Sequence, residues 1–168
     1  GGRIILRGGG ASQAYLDRHP IPLAFHFGGL RSTVSSALIE SLDLYPGNFS
    51  AEFGRVNGGV VDVRLRDPRV DGIHGYAEAD VFDAGMLVEG PLGDGGLAVS
   101  FRRSYIDGVL ALVLDDDLKR RFATAPRYYD GQVLYHRADG EHDLRLLLYG
   151  SSDRIVILSE SSDGGFIN

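Results

Sequence analysis

Apolar and polar residues alternate along several segments in the second half of this chain. In LAVSFRRSY, at 97–105, Leu97, Val99, Phe101 and Tyr105 lie on one side of the alternation, and Ala98, Ser100, Arg102 and Ser104 lie on the other. A period of two is typical of a β-strand with one apolar face. The same pattern predicts strands at 73–82, 85–92, 97–105, 127–137 and 142–151.

The connections between these predicted strands differ in length. GDGG at 93–96 and ADGEH at 138–142 are short and contain the Asp-Gly pair typical of hairpin turns. The connection at 106–126 is much longer. Short turns on one side and long loops on the other are typical of bacterial outer-membrane β-barrels.

The first half of the chain has a more varied pattern. RIILR at 3–7 and QAYLD at 13–17 predict short strands. VSSALIESL at 34–42 places its apolar residues on one face of a helix. Three closely spaced turn signals follow at 46–59, and period-two alternation starts again at Val61. This half therefore predicts a small α+β unit.

Composition and charge exclude several classes of protein. The chain has no Cys, which excludes disulfides and Cys-ligated metal sites. Its net charge of −6 argues against a general nucleic-acid-binding protein. No segment approaches the roughly 20 consecutive apolar residues of a membrane-spanning helix. The first ten residues are not typical of a secretory signal.

Short motifs give no support for an enzyme. RGGGAS at 7–12 lacks the Lys of a phosphate-binding loop, and no long helix is predicted after it. The chain has no GxSxG motif and no HExxH motif, so neither a serine hydrolase nor a zinc protease is indicated. We therefore expect no catalytic residues, no cofactor and no bound metal.

Three segments together resemble TonB-dependent outer-membrane receptors. IILRGGG at 4–10 with AYLDRHPIP at 14–22 resembles the plug domain of that family. The segment LIESLDLYPGNFSAEFGRVNGGVVDVRLRD at 38–67 is similar to the end of the plug. VEGPLGDGGLAVSFRRSYID at 88–107 resembles an early hairpin of the barrel. The chain departs from the family at Asp17-Arg18, where the family usually has Asp-Gly.

The resemblance implies a fold and a function. The expected fold is an α+β plug at 1–70 followed at 71–168 by antiparallel transmembrane β-barrel strands. It would be a fragment of a plugged barrel of about 22 strands. The implied function is active uptake of a scarce nutrient, such as a metal chelate, cobalamin or a glycan. The implied location is the outer membrane, with lipid and a TonB-type energy-transducing complex as partners.

The resemblance also assigns roles to particular residues. Polar contacts between plug and barrel are expected from Arg7, Arg55, Arg64, Glu78, Asp80, Arg102 and Asp143. Glycines of the plug turns, which permit positive φ and close backbone approach, are expected at Gly8, Gly47, Gly54, Gly58 and Gly59. We expect the plug to meet the barrel wall through polar contacts rather than an apolar core.

The period-two pattern also predicts which side chains face outward. The outward set is Ala77, Ala79, Val99, Phe101, Leu144, Leu146 and Leu148. The inward set is Glu78, Asp80, Ser100, Arg102 and Asp143. An alternative from the same pattern is a soluble β-rich ligand-binding module. Such a module would fold without detergent, whereas a membrane receptor would not.

Overall fold

A computed structural model describes residues 12–26, 29, 31–54, 56–105, 108–109 and 122–157 of the chain. Within 12–105 and 122–157 the elements are eleven β-strands and one short 3-10 turn. The strands form separate sheets of four, five and two strands. Strand 3–7 of the sequence prediction lies outside the described residues.

The four-stranded sheet is built from the first half of the chain. It consists of β1 (Gln13–Leu16), β2 (His19–Ile21), β5 (Ile39–Tyr45) and β6 (Val60–Leu65), in the order β2-β1-β6-β5. The β1–β6 pair is parallel, and the other two pairs are antiparallel. Five of the six residues of β6 are buried, because this Val-rich strand is central and covered on both faces.

A two-residue turn joins β1 to β2. Asp17 and Arg18 both have positive φ, 46° and 66°. A type I′ hairpin turn requires positive φ at both central positions, where Asp-Gly is usual. Asp17 accepts a hydrogen bond from the Leu65 amide at 2.8 Å, so its side chain also ties the turn to β6. The turn therefore forms although Arg18 replaces the usual glycine, and Arg18 adopts the left-handed backbone conformation.

The five-stranded sheet is an antiparallel meander built from the second half of the chain, and we call it the meander sheet. Its strands are β7 (His74–Ala79), β8 (Asp83–Leu92), β9 (Gly95–Ser104), β10 (Phe122–Ala138) and β11 (Asp143–Ile157). Each strand pairs with the next in chain order. All five strands predicted in this half are present, although β10 and β11 are longer than expected, at 17 and 15 residues.

Two short strands and the 3-10 turn complete the first half. Strands β3 (Phe25–His26) and β4 (Arg31–Ser32) pair with each other, and the 3-10 turn covers Ser36–Leu38. We refer to residues 12–67, which hold the four-stranded and two-stranded sheets, as the N-terminal unit. No helix among the described residues has the length and hydropathy needed to span a membrane.

The helix predicted at 34–42 is wrong. A single 3-10 turn at Ser36–Leu38 leads directly into β5. The segment carries two periods at once, because Leu42 and Leu44 also alternate with Ser41 and Asp43. Antiparallel pairing of β5 with the Val-rich strand β6 satisfies the backbone and overrides the helical spacing.

The expected fold class is wrong as well. The described ranges 12–105 and 122–157 contain no α-helix, so the N-terminal unit is not an α+β plug. The meander sheet is open in these ranges, with β7 at one edge and β11 at the other, and it does not close into a barrel. The molecule is instead three separate sheets.

The predicted sorting of side chains between the faces of the meander sheet is confirmed. The register places Ala77, Met86 and Phe101 side by side on one face. Val99 and Leu148 both lie opposite Val133 on that face, and both are exposed. Ser100, on the other face, is 5% exposed. Glu78 and Leu146 lie on opposite faces, as the alternation requires.

Candidate functional site

The inner face of the meander sheet, which the N-terminal unit covers, is unusually polar. Its buried side chains include six that are charged or hydrogen-bonding, each at most 5% exposed: Asp83, Glu89, Ser100, Ser104, Asp130 and Gln132. Buried polar groups are costly unless they are hydrogen-bonded. For Asp83, Glu89, Asp130 and Gln132 the contacts that satisfy them cross between the two regions, and we call the set of crossing contacts the junction.

His26 lies at the centre of the junction. The ring is fully buried, and its Nε2 is 2.8 Å from Asp130 Oδ1. The other nitrogen, Nδ1, contacts Asp153 Oδ1. The ring also stacks on Tyr128, with 4.1 Å between centroids and 17° between planes. Burial lowers the pKa of His26, but the hydrogen bonds and charges of the two aspartates outweigh it, and the net pKa is raised.

Arg102 reinforces this centre from the neighbouring strand. Its Nη2 donates to Asp130 Oδ2 at 2.6 Å, and its Nε donates to the same oxygen at 3.1 Å. The same guanidinium donates to the Ser32 carbonyl oxygen of β4. Asp130 thus holds one cationic group from β9 and the His26 ring from β3, which joins the two regions through one carboxylate.

Gln132 holds the backbone next to the 3-10 turn. Its Nε2 donates to the Thr33 carbonyl at 2.9 Å, and its Oε1 accepts from the Ser35 amide at 3.2 Å. Ser100 Oγ donates to the same Oε1 at 2.6 Å. Because one amide side chain satisfies a donor and an acceptor of the opposing backbone, it fixes the position of this segment.

Arg31 extends the junction toward the β7–β8 turn. Its guanidinium pairs with Asp80, and its Nε is 3.1 Å from Asp83 Oδ2. Tyr128 OH donates to the same Asp83 oxygen. Asp80 also accepts from the amides of the turn, including that of Asp83 at 3.0 Å. The Asp80 carboxylate therefore both stabilises the β7–β8 turn and pairs with the Arg31 guanidinium.

A second group of ion pairs lies at the opposite end of the sheet. Arg66 makes a two-point contact with Glu89, at 2.8 Å and 2.7 Å, and this hydrogen bonding raises the pKa of Arg66. Arg145 of β11 donates to Asp17 Oδ2 at 3.0 Å and to the Leu65 carbonyl at 2.6 Å. Two-point guanidinium–carboxylate contacts are among the strongest hydrogen bonds in proteins.

An apolar patch lies between the two polar groups. Leu87, Ala98 and Leu134 of the meander sheet belong to one buried cluster with seven residues of the N-terminal unit: Leu16, Ile21, Val34, Leu38, Val61, Val63 and Leu65. The expectation of a polar rather than apolar interface is therefore wrong in part. The interface is apolar at its centre and polar at both ends.

Only some of the residues expected to make polar contacts between the two regions are seen to do so. Arg102 and Asp80 contact the N-terminal unit, at Ser32 and Arg31. Arg7 and Arg55 lie outside the described residues.

The remaining three stay within their own region or at its surface. Arg64 lies 3.5 Å from Asp62 and 3.9 Å from Asp43 in its own sheet. Asp143 pairs with His136 of the adjacent strand at 3.0 Å. Glu78 lines a cavity of about 20 Å³ between the meander sheet and Ser35 and Ser36 of the N-terminal unit, which is room for one water molecule.

The expected turn glycines also differ among themselves. Gly8 lies outside the described residues. Gly47 and Gly54 have ordinary φ and open space around them, and the positive φ of this stretch falls on Asn48 at 57°. Gly59 is buried beside β1, where its carbonyl accepts from the Gln13 amide at 2.9 Å and its amide donates to Ser12 Oγ at 3.3 Å. Its neighbour Gly58 is partly buried.

Sequence reasoning missed most of the junction. Glu89, Asp130 and Gln132 occupy inward positions of predicted strands, so the alternation was a signal that could have identified them, although the predicted inward set did not include them. His26 and Arg31 lie in an irregular stretch without periodicity, and no local signal indicated their partners. The described residues hold no group of three His, Cys, Asp or Glu side chains that could bind a metal.

The arrangement is suited to holding the N-terminal unit against the meander sheet. Arginine–carboxylate pairs, a carboxylate-bound imidazole and amide hydrogen bonds all join one region to the other. Comparison of the chain with protein-family models, with curated proteins and with solved structures found no match in any of the three.

Proposed function

We propose that this protein acts in active nutrient uptake across an outer membrane, in the manner of TonB-dependent receptors. The nutrient would be a scarce compound such as a metal chelate, cobalamin or a glycan. A TonB-type complex would supply energy by acting on the N-terminal unit. The protein is proposed as a transporter and not as an enzyme. The sequence resemblance at 4–22, 38–67 and 88–107 supports this proposal.

The observation that carries the proposal is the inverted polarity of the meander sheet. Its buried face is polar, whereas large apolar side chains cover its exposed face. These side chains are 40–70% exposed: Met86, Val88, Val99, Phe101, Leu144, Leu146 and Leu148. Contiguous apolar surface of this kind marks contact with a membrane or a protein partner. Lipid acyl chains would make the exposed face favourable without any further protein surface.

The junction supports a unit that can be displaced. Hydrogen bonds exchange for water contacts at a net cost of typically about 1 kcal/mol each, and those to charged groups at about 1.5–3 kcal/mol. The apolar patch opposes displacement, but among the described residues three buried side chains of the meander sheet belong to it, Leu87, Ala98 and Leu134, with the partly buried Leu147 and Tyr149 packed against it. A pulling force applied to the N-terminal unit would therefore meet a limited resistance.

Uptake measurements test the proposal. A strain lacking the gene and the same strain carrying it are compared for accumulation of a radiolabelled ferric chelate, cyanocobalamin and a malto-oligosaccharide. We expect gene-dependent accumulation of one of the three, which disappears when the inner-membrane proton gradient is collapsed. Accumulation that is equal in both strains for all three probes would contradict transport of these classes.

A soluble β-rich binding module is the second candidate function. It is favoured by the apolar cluster between the four-stranded sheet and the meander sheet, which resembles the core of an ordinary two-layer protein. Purification separates the two candidates. A soluble module gives a monodisperse monomer without detergent, whereas a membrane receptor aggregates until detergent covers its apolar face.

A further inference from the structure

One buried group at the junction, the imidazole of His26, can gain or lose a proton. His26 is fully buried, and both of its ring nitrogens face carboxylates, Asp130 on β10 and Asp153 on β11. The face of the ring is covered by Tyr128. The imidazole is therefore enclosed by the meander sheet, although it belongs to the N-terminal unit.

The positions of the two carboxylates determine which protonation state of His26 satisfies both hydrogen bonds. A neutral imidazole carries one N–H and can donate to one acceptor, whereas the imidazolium ion carries two. Only the protonated ring can donate to Asp130 and Asp153 at the same time. Loss of the proton would remove one hydrogen bond and leave two carboxylates beside an uncharged, buried ring, which is unfavourable.

We propose that His26, Asp130 and Asp153 form a proton-operated latch between the N-terminal unit and the meander sheet. The protonated latch holds the β3–β4 segment against β10 and β11, and deprotonation loosens it. Arg102 also faces this site, through Asp130, and keeps that carboxylate paired in both states, and Glu78 lines a small cavity beside the same carboxylate. The latch requires only that the two regions meet as they do, so it stands whether or not the protein transports a nutrient.

The direction of the pH dependence follows from linkage. The pKa of His26 is higher in the docked state than its ordinary value of 6.5. The stabilisation is therefore fully present below about pH 6.5 and is lost as pH rises through the raised pKa. Between the two pKa values, the docking equilibrium weakens by about tenfold for each pH unit.

A distance measurement between the two regions tests the latch. The chain contains no Cys, so spin labels can be placed at two introduced cysteines, Glu40→Cys on β5 and Glu141→Cys in the β10–β11 turn. Both positions are exposed. In the full chain, in detergent, we expect a narrow distance distribution at about pH 5 that broadens progressively toward about pH 9.

Two variants and a control assign the effect to His26. His26→Gln should give a broader distribution that no longer depends on pH in this range. Asp153→Asn removes one of the two negative charges, so the broadening should begin at lower pH than in the wild type. His142→Gln is the matched control, because His142 lies in an exposed turn with its side chain 82% exposed and should keep the wild-type profile.

Two outcomes would overturn the latch. One is a wild-type distance distribution that stays the same from about pH 5 to about pH 9. The other is an unchanged pH profile in Asp153→Asn, which keeps the proposal testable even where His26→Gln fails to fold.

Discussion

The four-stranded sheet and the meander sheet place their apolar residues in opposite ways. Central strand β6 is covered on both faces, and Val60, Val61 and Val63 are all buried. In the meander sheet the exposed apolar residues, such as Val99 and Leu148, face outward, and the buried face carries Asp83, Glu89, Asp130 and Gln132 around the smaller apolar patch of Leu87, Ala98 and Leu134. The four-stranded sheet therefore buries its central strand on both faces, whereas the meander sheet has one face covered by the N-terminal unit and one face exposed.

This difference identifies the junction as the element on which both regions depend. Buried carboxylates on the inner face of the meander sheet need partners, and the N-terminal unit supplies cations such as Arg31 and Arg66. A change at the junction should therefore affect the whole molecule, whereas a change within the four-stranded sheet should act locally.

The largest effect is expected from Arg66→Ala, which removes the two-point partner of Glu89. Glu89 is 4% exposed, and the variant would leave its carboxylate with only the Arg69 amide, 3.0 Å away. Removing one partner of a buried ion pair typically costs about 3 kcal/mol or more. The free energy of unfolding in detergent should fall by about that amount.

A matched control separates the ion pair from general surface effects. Arg69→Ala removes a pair with Asp71 whose side chains are 50% and 62% exposed, and it should change stability little. Equal losses in the two variants would contradict the importance of the Arg66–Glu89 pair.

An intermediate effect is expected from Gly96→Ala. A Cβ at Gly96 would lie 2.9 Å from the Pro68 carbonyl oxygen and 3.0 Å from the Pro68 Cβ. The chain leaves the N-terminal unit here and crosses the inner face, so backbone must move to make room. Overpacking of this kind typically costs about 2 kcal/mol.

Glycine at another position gives the control for this variant. Gly150→Ala should be tolerated, because a Cβ there meets nothing within 4 Å. Comparison of the two melting temperatures checks the prediction, and equal values would show that the crossing is not tightly packed.

The smallest effect is expected from Arg18→Gly, and it should stabilise the protein. Arg18 has a φ of 66°, which is unfavourable for a residue with a Cβ by about 1 kcal/mol. The variant also loses the exposed Arg18–Glu52 pair at 3.1 Å, which offsets part of the gain. Unfolding by urea should show a gain of a few tenths to about 1 kcal/mol. A loss would mean that the ion pair outweighs the backbone strain.

The sequence was most informative where structure depends on local pattern. Period-two alternation located the strands of the meander sheet and sorted residues such as Ser100 and Leu146 to the correct faces. It failed at 34–42, where a helical and a strand period coexist and pairing with β6 decided the outcome.

Contacts between distant positions could not be predicted in the same way. His26 meets Asp130 across 104 positions of the chain and Asp153 across 127. Arg145 meets Asp17 across 128 positions. Such pairs depend on how two sheets pack together. The sequence around His26 has no periodicity, so it gives no information on that packing.

Site-specific quenching in lipid bilayers tests the inverted polarity of the meander sheet most directly. The chain has no Trp, so a single introduced Trp reports on one position, Phe101→Trp on the exposed face or Tyr76→Trp on the opposite face. Lipids with brominated acyl chains should quench the Trp at position 101 and spare the one at 76, and aqueous acrylamide should do the reverse. Equal quenching of both by acrylamide, with no effect of brominated lipid on either, would contradict the account.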